Sequence, residues 1–119
     1  MVAEARLKAQ DYTPSVMSFT PMQRQVDDWI RDHTHGYFQP LQMIARMTEE
    51  LGELSRAVSH RFGEKTPKPG EDSGDVAGEL CDLIFVAICL ANSMQIDLDA
   101  EWQRLVTKLY QRDLNRWKS

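Results

Sequence analysis

Apolar residues recur at three- and four-residue steps along most of this chain, and no stretch alternates with the period of two that a half-buried strand requires. Met22, Val26, Trp29 and Ile30 form the first series. It follows Thr20-Pro21-Met22-Gln23, where Thr20 is placed as N-cap, Pro21 opens the helix and Gln23 closes a capping box. This helix is expected to end near His35-Gly36. A second begins near Pro40, with Leu41, Ile44, Met47, Leu51, Leu54 and Val58 as one apolar stripe and Gly63 as its stop. Residues 64–73 hold two Pro, one Gly and several charges. They read as an exposed connection by default, and otherwise as a lid or assembly loop.

A third helix is expected after Asp72 or Ser73, running to about Met94. From Leu83 to Ala91 it is apolar almost all round. Such a helix needs neighbours on every face, which in so short a chain predicts an interface between copies. The run itself is too short to span a bilayer. Asp97 is placed as N-cap of a fourth helix, whose stripe is Leu98, Trp102, Leu105, Val106 and Leu109. The expected fold is therefore all-α: a four-helix bundle over residues 20–119, completed by oligomerisation. Residues 1–19 show no sustained period and are expected to form a flexible arm.

Composition narrows the partners. Hydrophobic residues make up 42% and charged residues 27% of 119, an ordinary soluble balance for one domain. A net charge of -4 argues against nucleic acid, whose phosphates call for a basic face. It leaves open small phosphorylated ligands held through a metal. Cys81 and Cys89, eight apart on one helix, are out of reach of each other and read as buried small hydrophobes. That suits a reduced, cytoplasmic setting. No charged segment followed by an apolar stretch opens the chain, so neither a signal peptide nor membrane attachment is expected.

The chemistry-bearing feature is written twice: ELGEL at 50–54 and ELCDL at 79–83. At about 100° per residue, Glu50 and Glu79 fall to the same side of Leu51 and Leu80, at the border of each stripe. Glu53 and Asp82 lie about 60° further round and one turn along. Packed antiparallel, the two helices bring four carboxylates towards one place. Like charges that close must be protonated or neutralised by a cation, and an all-oxygen donor set suits Mg²⁺ or Mn²⁺. A di-iron site would want Glu-x-x-His, which does not occur. A single ExxE on a solvated helix is common and carries no weight alone. The matched duplicate does, as does Glu49, which makes three carboxylates in five residues.

Arg104, Lys108, Arg112 and Arg116 recur every four residues on the last helix, and Arg112 and Arg116 continue its apolar line. Cations favour a helix C-terminus, which explains some of this charge but not its direction. A basic cluster facing a carboxylate-held metal is an arrangement that binds polyphosphate.

Glu49-Glu50-x-x-Glu53 followed by Glu79-x-x-Asp82 resembles the MazG-like nucleoside triphosphate pyrophosphohydrolases, an all-α superfamily. The similarity runs from about Tyr37 to Trp117 and includes RMTEELGELSRAVSHRFGEK, GELCDLIFVAICLAN and KLYQRDLNRW. It implies hydrolysis of an NTP or dNTP between the α and β phosphates, giving a nucleoside monophosphate and pyrophosphate, as in nucleotide-pool house-cleaning. It implies Glu50, Glu53, Glu79 and Asp82 as Mg²⁺ ligands. Glu49 would hold a further metal or orient the attacking water. Lys108, Arg112 and Arg116 would contact phosphates. It also implies a homo-oligomer, a tetramer in preference to a dimer. The alternatives are phosphoribosyl-ATP as substrate, or a non-catalytic metal-binding helical module. Trp29, Tyr37, Phe38 and Trp117 are candidates to stack a base, set against ordinary core or interface roles. His33 and His35 read as an exposed capping segment.

Overall fold

A computed structural model describes residues 19–63, 69 and 75–116, with side chains to residue 112. They form four helices: α1 (Phe19–His33), α2 (Pro40–Phe62), α3 (Val76–Ser93) and α4 (Leu98–Arg116). No strand occurs among the described residues. The expected all-α fold is the one observed. The arm expected over residues 1–19 and the connection expected over 64–73 fall outside the described residues, apart from Phe19, which is helical, and Pro69.

Helix α3 is the centre of the molecule. It packs along α2 as the principal pair and also against α1, while the main neighbour of α4 is α1. Val26 of α1, Met43 of α2, and Ile88 and Cys89 of α3 form the buried cluster, with Ile30, Tyr37, Leu90 and Leu98 packed round it. Hydrophobic burial is thus concentrated where the end of α3 meets α1 and the start of α2.

Helix α2 does not bury the stripe that its sequence suggests. Its inward seam is Met43, Met47, Glu50, Leu54 and Ala57, all buried or half-buried. Leu41, Ile44, Leu51, Val58 and Phe62 lie outward and exposed, Leu41 at 85%. The helix carries two apolar lines side by side, and a single stripe of Leu41, Ile44, Met47, Leu51, Leu54 and Val58 mixes them. Leu80 and Ile84 of α3 are likewise outward, as is Cys81, expected to be buried.

The helix ends are set by specific contacts. At α2, Pro40 takes the first helical position and the Gln39 backbone N–H donates to Gln42 Oε1 at 3.1 Å. At its far end the Gly63 N–H donates to the Ser59 carbonyl at 2.8 Å, and a Cβ on Gly63 would lie 2.6 Å from that oxygen. Close approach is therefore what calls for glycine there. Helix α3 begins at Val76, capped by Asp75, whose Oδ1 accepts from the Gly78 N–H at 3.0 Å. The helix thus starts after Ser73, as expected, with Asp75 as its cap. Asp97 caps α4 as expected, accepting from the Asp99 and Ala100 N–H groups.

The capping box expected at Thr20 is not formed. Helix α1 already includes Phe19, and its first N–H groups are taken by Asp99 of α4, which accepts from Phe19 N, Thr20 N and the Thr20 hydroxyl. Gln23 turns away to bind the α3–α4 turn. It donates to Asn92 Oδ1 and the Ile96 carbonyl and accepts from the Leu98 N–H. A long-range cap has replaced a local one. Helix α1 ends at His33, slightly before the expected His35-Gly36.

By length and composition alone, α3 as a whole is apolar enough to cross a membrane, unlike the shorter Leu83–Ala91 run. In this fold it packs against α2 and α1, with Val86, Ile88, Cys89 and Ala91 buried and Glu79 and Asp82 in its first turns.

Candidate functional site

The antiparallel α2–α3 pair sets Glu50 and Glu53 of one helix against Glu79 and Asp82 of the other. Glu50, Glu53 and Glu79 each offer a carboxylate oxygen, and these atoms all lie within 4.8 Å of one another. Glu50 is buried, at 8% exposure, because it stands in the inward seam of α2 and not at its border. Glu79 is half-buried, and Glu53 and Asp82 are exposed.

This packing leaves charge uncompensated. Glu50 Oε2 and Glu79 Oε2 are both shut off from solvent and have no hydrogen-bond partner. Burial, the largest cause, raises the pKa of Glu50. Glu53, Asp82 and Glu49 push it the same way, and Arg46 opposes them. Glu79 is raised by burial first, then by the charges of Glu53 and Asp82, by a hydrogen bond with Glu53, and by Glu50. Two orphaned buried oxygens beside a third carboxylate fit one hard cation taking an oxygen from each. The triad can thus hold a divalent metal ion. Asp82 stands outside this group of three, yet its charge bears on both Glu50 and Glu79.

Glu49 is exposed and faces Arg46, whose guanidinium donates to Glu49 Oε2 at 3.4 Å and to Glu50 Oε1 at 3.3 Å. Lys108 and Arg112 are exposed on α4. Since α4 docks on α1, they are not carried by the pair that holds the carboxylates. Arg116 ends α4, and its side chain lies outside the described part.

Beside the carboxylates opens a cavity of about 730 Å³. Glu50 and Asp82 line it on the acidic side, and Met43, Val86 and Cys89 form its apolar floor. Trp29, Tyr37, Phe38 and Phe85 supply aromatic walls. Trp29 is held edge-on to Phe85, ring centroids 5.8 Å apart at 84°, and stacks on His33 at 5.3 Å. Tyr37 is fixed by its hydroxyl, which donates to Asp27 Oδ1 at 2.7 Å and accepts from Asn92 Nδ2 at 3.0 Å. Burial, followed by the Asp27 hydrogen bond, pushes its pKa up to about 12, so it stays neutral. Such a cavity is sized for a small-molecule ligand.

Sequence reasoning reached Trp29, Tyr37 and Phe38 but missed Phe85, Arg46 and His35 among the lining residues. Phe85 was hidden within a continuous apolar run, and Arg46 was passed over beside the carboxylates that follow it. His35 was read as capping; it lines the cavity, while His33 does receive the bland role, its Nδ1 lying 3.1 Å from the Trp29 carbonyl. The signal available for Arg46 was its place one turn before the acidic motif.

The chain is 48% identical over 96 residues to YpjD, an uncharacterized protein of Bacillus subtilis (strain 168), covering 81% of this chain and 86% of that one. A crystal structure of YpjD from Bacillus subtilis superposes with a TM-score of 0.71 at 44% identity, covering 83% of this chain and 99% of that one. The Bacillus-conserved MazG protein, described as a nucleotide pyrophosphohydrolase, superposes at 0.66 with 41% identity, over 79% of this chain and 90% of that one. Residues 38–117, which carry both acidic segments and most of the cavity wall, match the MazG nucleotide pyrophosphohydrolase domain, and the chain belongs to that family.

Proposed function

We propose that this chain hydrolyses nucleoside triphosphates, ribo- or deoxyribo-, between the α and β phosphates, releasing a nucleoside monophosphate and pyrophosphate. The observation that carries this reading is the juxtaposition of two sites: three carboxylates within 4.8 Å of one another, beside an aromatic-walled cavity of about 730 Å³. The cavity suits a nucleoside, whose base can stack on Trp29 or Phe85. The carboxylates suit the metal that a polyphosphate brings or meets.

Glu50, Glu53 and Glu79 would hold Mg²⁺, with Asp82 as fourth ligand. Mn²⁺ is the other ion this donor set suits. When bound, the ion neutralises phosphate charge and polarises the anhydride. The chain's own groups orient and move protons. Glu49 is an exposed carboxylate beside the cluster, able to accept a proton from the attacking water once Arg46 turns elsewhere. The apolar floor excludes solvent from the nucleoside end. Lys108, Arg112 and Arg116 remain proposed phosphate contacts. Because α4 docks on α1, we assign them to phosphates at an interface between copies. The domain is taken as residues 20–119, extended by Phe19, and the setting as cytoplasmic.

The test is a turnover panel: canonical and damaged NTPs and dNTPs with Mg²⁺, pyrophosphate and orthophosphate assayed separately, and an EDTA control. Pyrophosphate release abolished by EDTA is the expected result. Release of orthophosphate alone, or turnover indifferent to EDTA, would sink the proposal. Phosphoribosyl-ATP belongs in the same panel as the alternative substrate.

A further inference from the structure

Arg46 is the one Lys or Arg side chain that lines the cavity among the described residues. It stands one turn before Glu50 on α2, half-exposed, at the junction of the cavity and the carboxylates. Its contacts are loose. The guanidinium reaches Glu50 at 3.3 Å and Glu49 at 3.4 Å. Charge-assisted N–H···O bonds close to about 2.7–2.9 Å when nothing competes. Arg104 reaches Glu101 at 2.8 Å, and Arg31, though shared by Asp28 at 2.8 Å and Asp32 at 3.5 Å, closes on one of its acids. Arg46 is divided between two acids and satisfies neither well.

The partner it shares is also informative. Arg46 bonds to Glu50 Oε1, while Oε2 of the same carboxylate is buried and unpartnered. This carboxylate also offers an oxygen within 4.8 Å of those of Glu53 and Glu79, so Arg46 and any cation the triad holds draw on the same group. A cation in the triad weakens Glu50 as a partner for Arg46 and repels the guanidinium. A phosphate passing from the cavity towards the carboxylates offers a better partner, since the planar guanidinium matches phosphate oxygens two at a time.

We infer that Arg46 exchanges partners in the working cycle, holding Glu50 and Glu49 in the empty protein and the nucleoside-proximal phosphate in the loaded one. The inference rests on the pyrophosphohydrolase reading for its second half. It makes Arg46 a substrate-binding residue and a competitor of the metal at once. The ion alone binds against the Arg46 charge, whereas ion and nucleotide together bind with Arg46 redeployed. The residue thereby favours entry of the metal with its nucleotide over occupation of the carboxylates by a free ion.

The experiment compares the wild-type chain with Arg46→Gln and Arg46→Lys. Mn²⁺ affinity is measured without nucleotide by electron paramagnetic resonance, and KM and kcat on the best wild-type substrate. Arg46→Gln is expected to bind Mn²⁺ alone about fivefold more tightly, because a nearby positive charge is gone. Its KM should rise about tenfold, the worth of a lost charge-assisted hydrogen bond. Arg46→Lys should keep wild-type Mn²⁺ affinity yet still show a raised KM, since a point charge lacks the fork. Circular dichroism checks that the helices persist. Unchanged or weaker Mn²⁺ binding by Arg46→Gln would show that Arg46 supports the metal ligands instead of competing with the ion, and would overturn the exchange. A KM within twofold of wild type would remove the phosphate contact. A wild-type chain without turnover would bring down the functional reading, and with it the substrate half of this inference, while the Mn²⁺ titration still judges the pairing with Glu50.

Discussion

The Glu79 carboxyl titrates above its ordinary range because burial strips it of water, and because Glu53 and Asp82 repel its charge. A raised carboxylate pKa means that the folded chain binds this proton more tightly than the unfolded chain does. The stability it lends is fully present below the unfolded pKa and is lost as pH rises through the raised folded value. In EDTA at pH 8, Glu79→Gln should therefore melt at a higher temperature than wild type, and the difference should shrink as pH falls into the carboxylate range. Adding Mg²⁺ should raise the wild-type melting temperature and leave the mutant behind, since the ion's binding energy is stability for the state that binds it. Scanning calorimetry at pH 5 and 8, with EDTA and with Mg²⁺, checks both signs. A mutant less stable than wild type in EDTA at pH 8 would mean that Glu79 is not strained by its neighbours.

At the scale of elements, the acidic pair could be read from sequence for an instructive reason. Its angles were measured from Leu51 and Leu80, and both of these side chains face outward in the structure. The offset is the same on α2 and α3, so the carboxylates still meet, only deeper: Glu50 lies in the seam itself. Periodicity fixes relative angles within a helix, but it does not say which of two adjacent apolar lines turns inward, because that depends on neighbours distant in the chain. The same limit hid the cap of α1. Thr20 and Gln23 offered a local capping box, and Asp99 from the start of α4 took its place. Helix α4 is tied to α1 by this contact and by the rings of Phe19 and Trp102, 5.5 Å apart. Asp99→Ala should thus cost about 1 kcal/mol, as loss of a side-chain cap does. In a domain of this size that is a drop of about 4–8 °C in melting temperature. The Thr20 hydrogen bond, with the Phe19 and Thr20 N–H groups, holds the Asp99 pKa below its usual value despite partial burial. Its contribution is present above the unfolded carboxylate pKa and is lost as pH falls through the lowered folded value. The gap between mutant and wild type should hold from pH 7 to pH 5 and close only in stronger acid. A gap that closes already near pH 5 would mean that Asp99 is not an ionised cap.

For the whole molecule, four helices leave much apolar surface unpaired. Leu41, Ile44, Leu51, Val58 and Phe62 of α2 are all exposed, with Thr48 and Ser55 completing steps of three and four along 23 residues. That is the spacing of a coiled-coil seam, which closes against another helix. Leu80 and Ile84 extend the apolar surface onto α3, each 44% exposed. A monomer rarely presents so long an apolar patch, and the seam is self-complementary in character, so a second copy is the partner it fits best. The further packing that the all-round apolar third helix calls for would then come from that second copy. We expect the protein to sediment as a dimer or tetramer of its 13.7 kDa chain. Ile44→Lys with Val58→Lys should convert it to a monomer that keeps its helical signal, because neither side chain supports the core within one chain. If Lys108, Arg112 and Arg116 contact phosphates between copies as proposed, the same double mutant should also lose turnover while retaining Mn²⁺ binding at Glu50, Glu53 and Glu79. Analytical ultracentrifugation beside the turnover assay separates these claims. A wild-type monomer at micromolar concentration would leave the seam without its proposed partner. A fully active monomeric mutant would instead remove Lys108 and Arg112 from the proposed phosphate contacts.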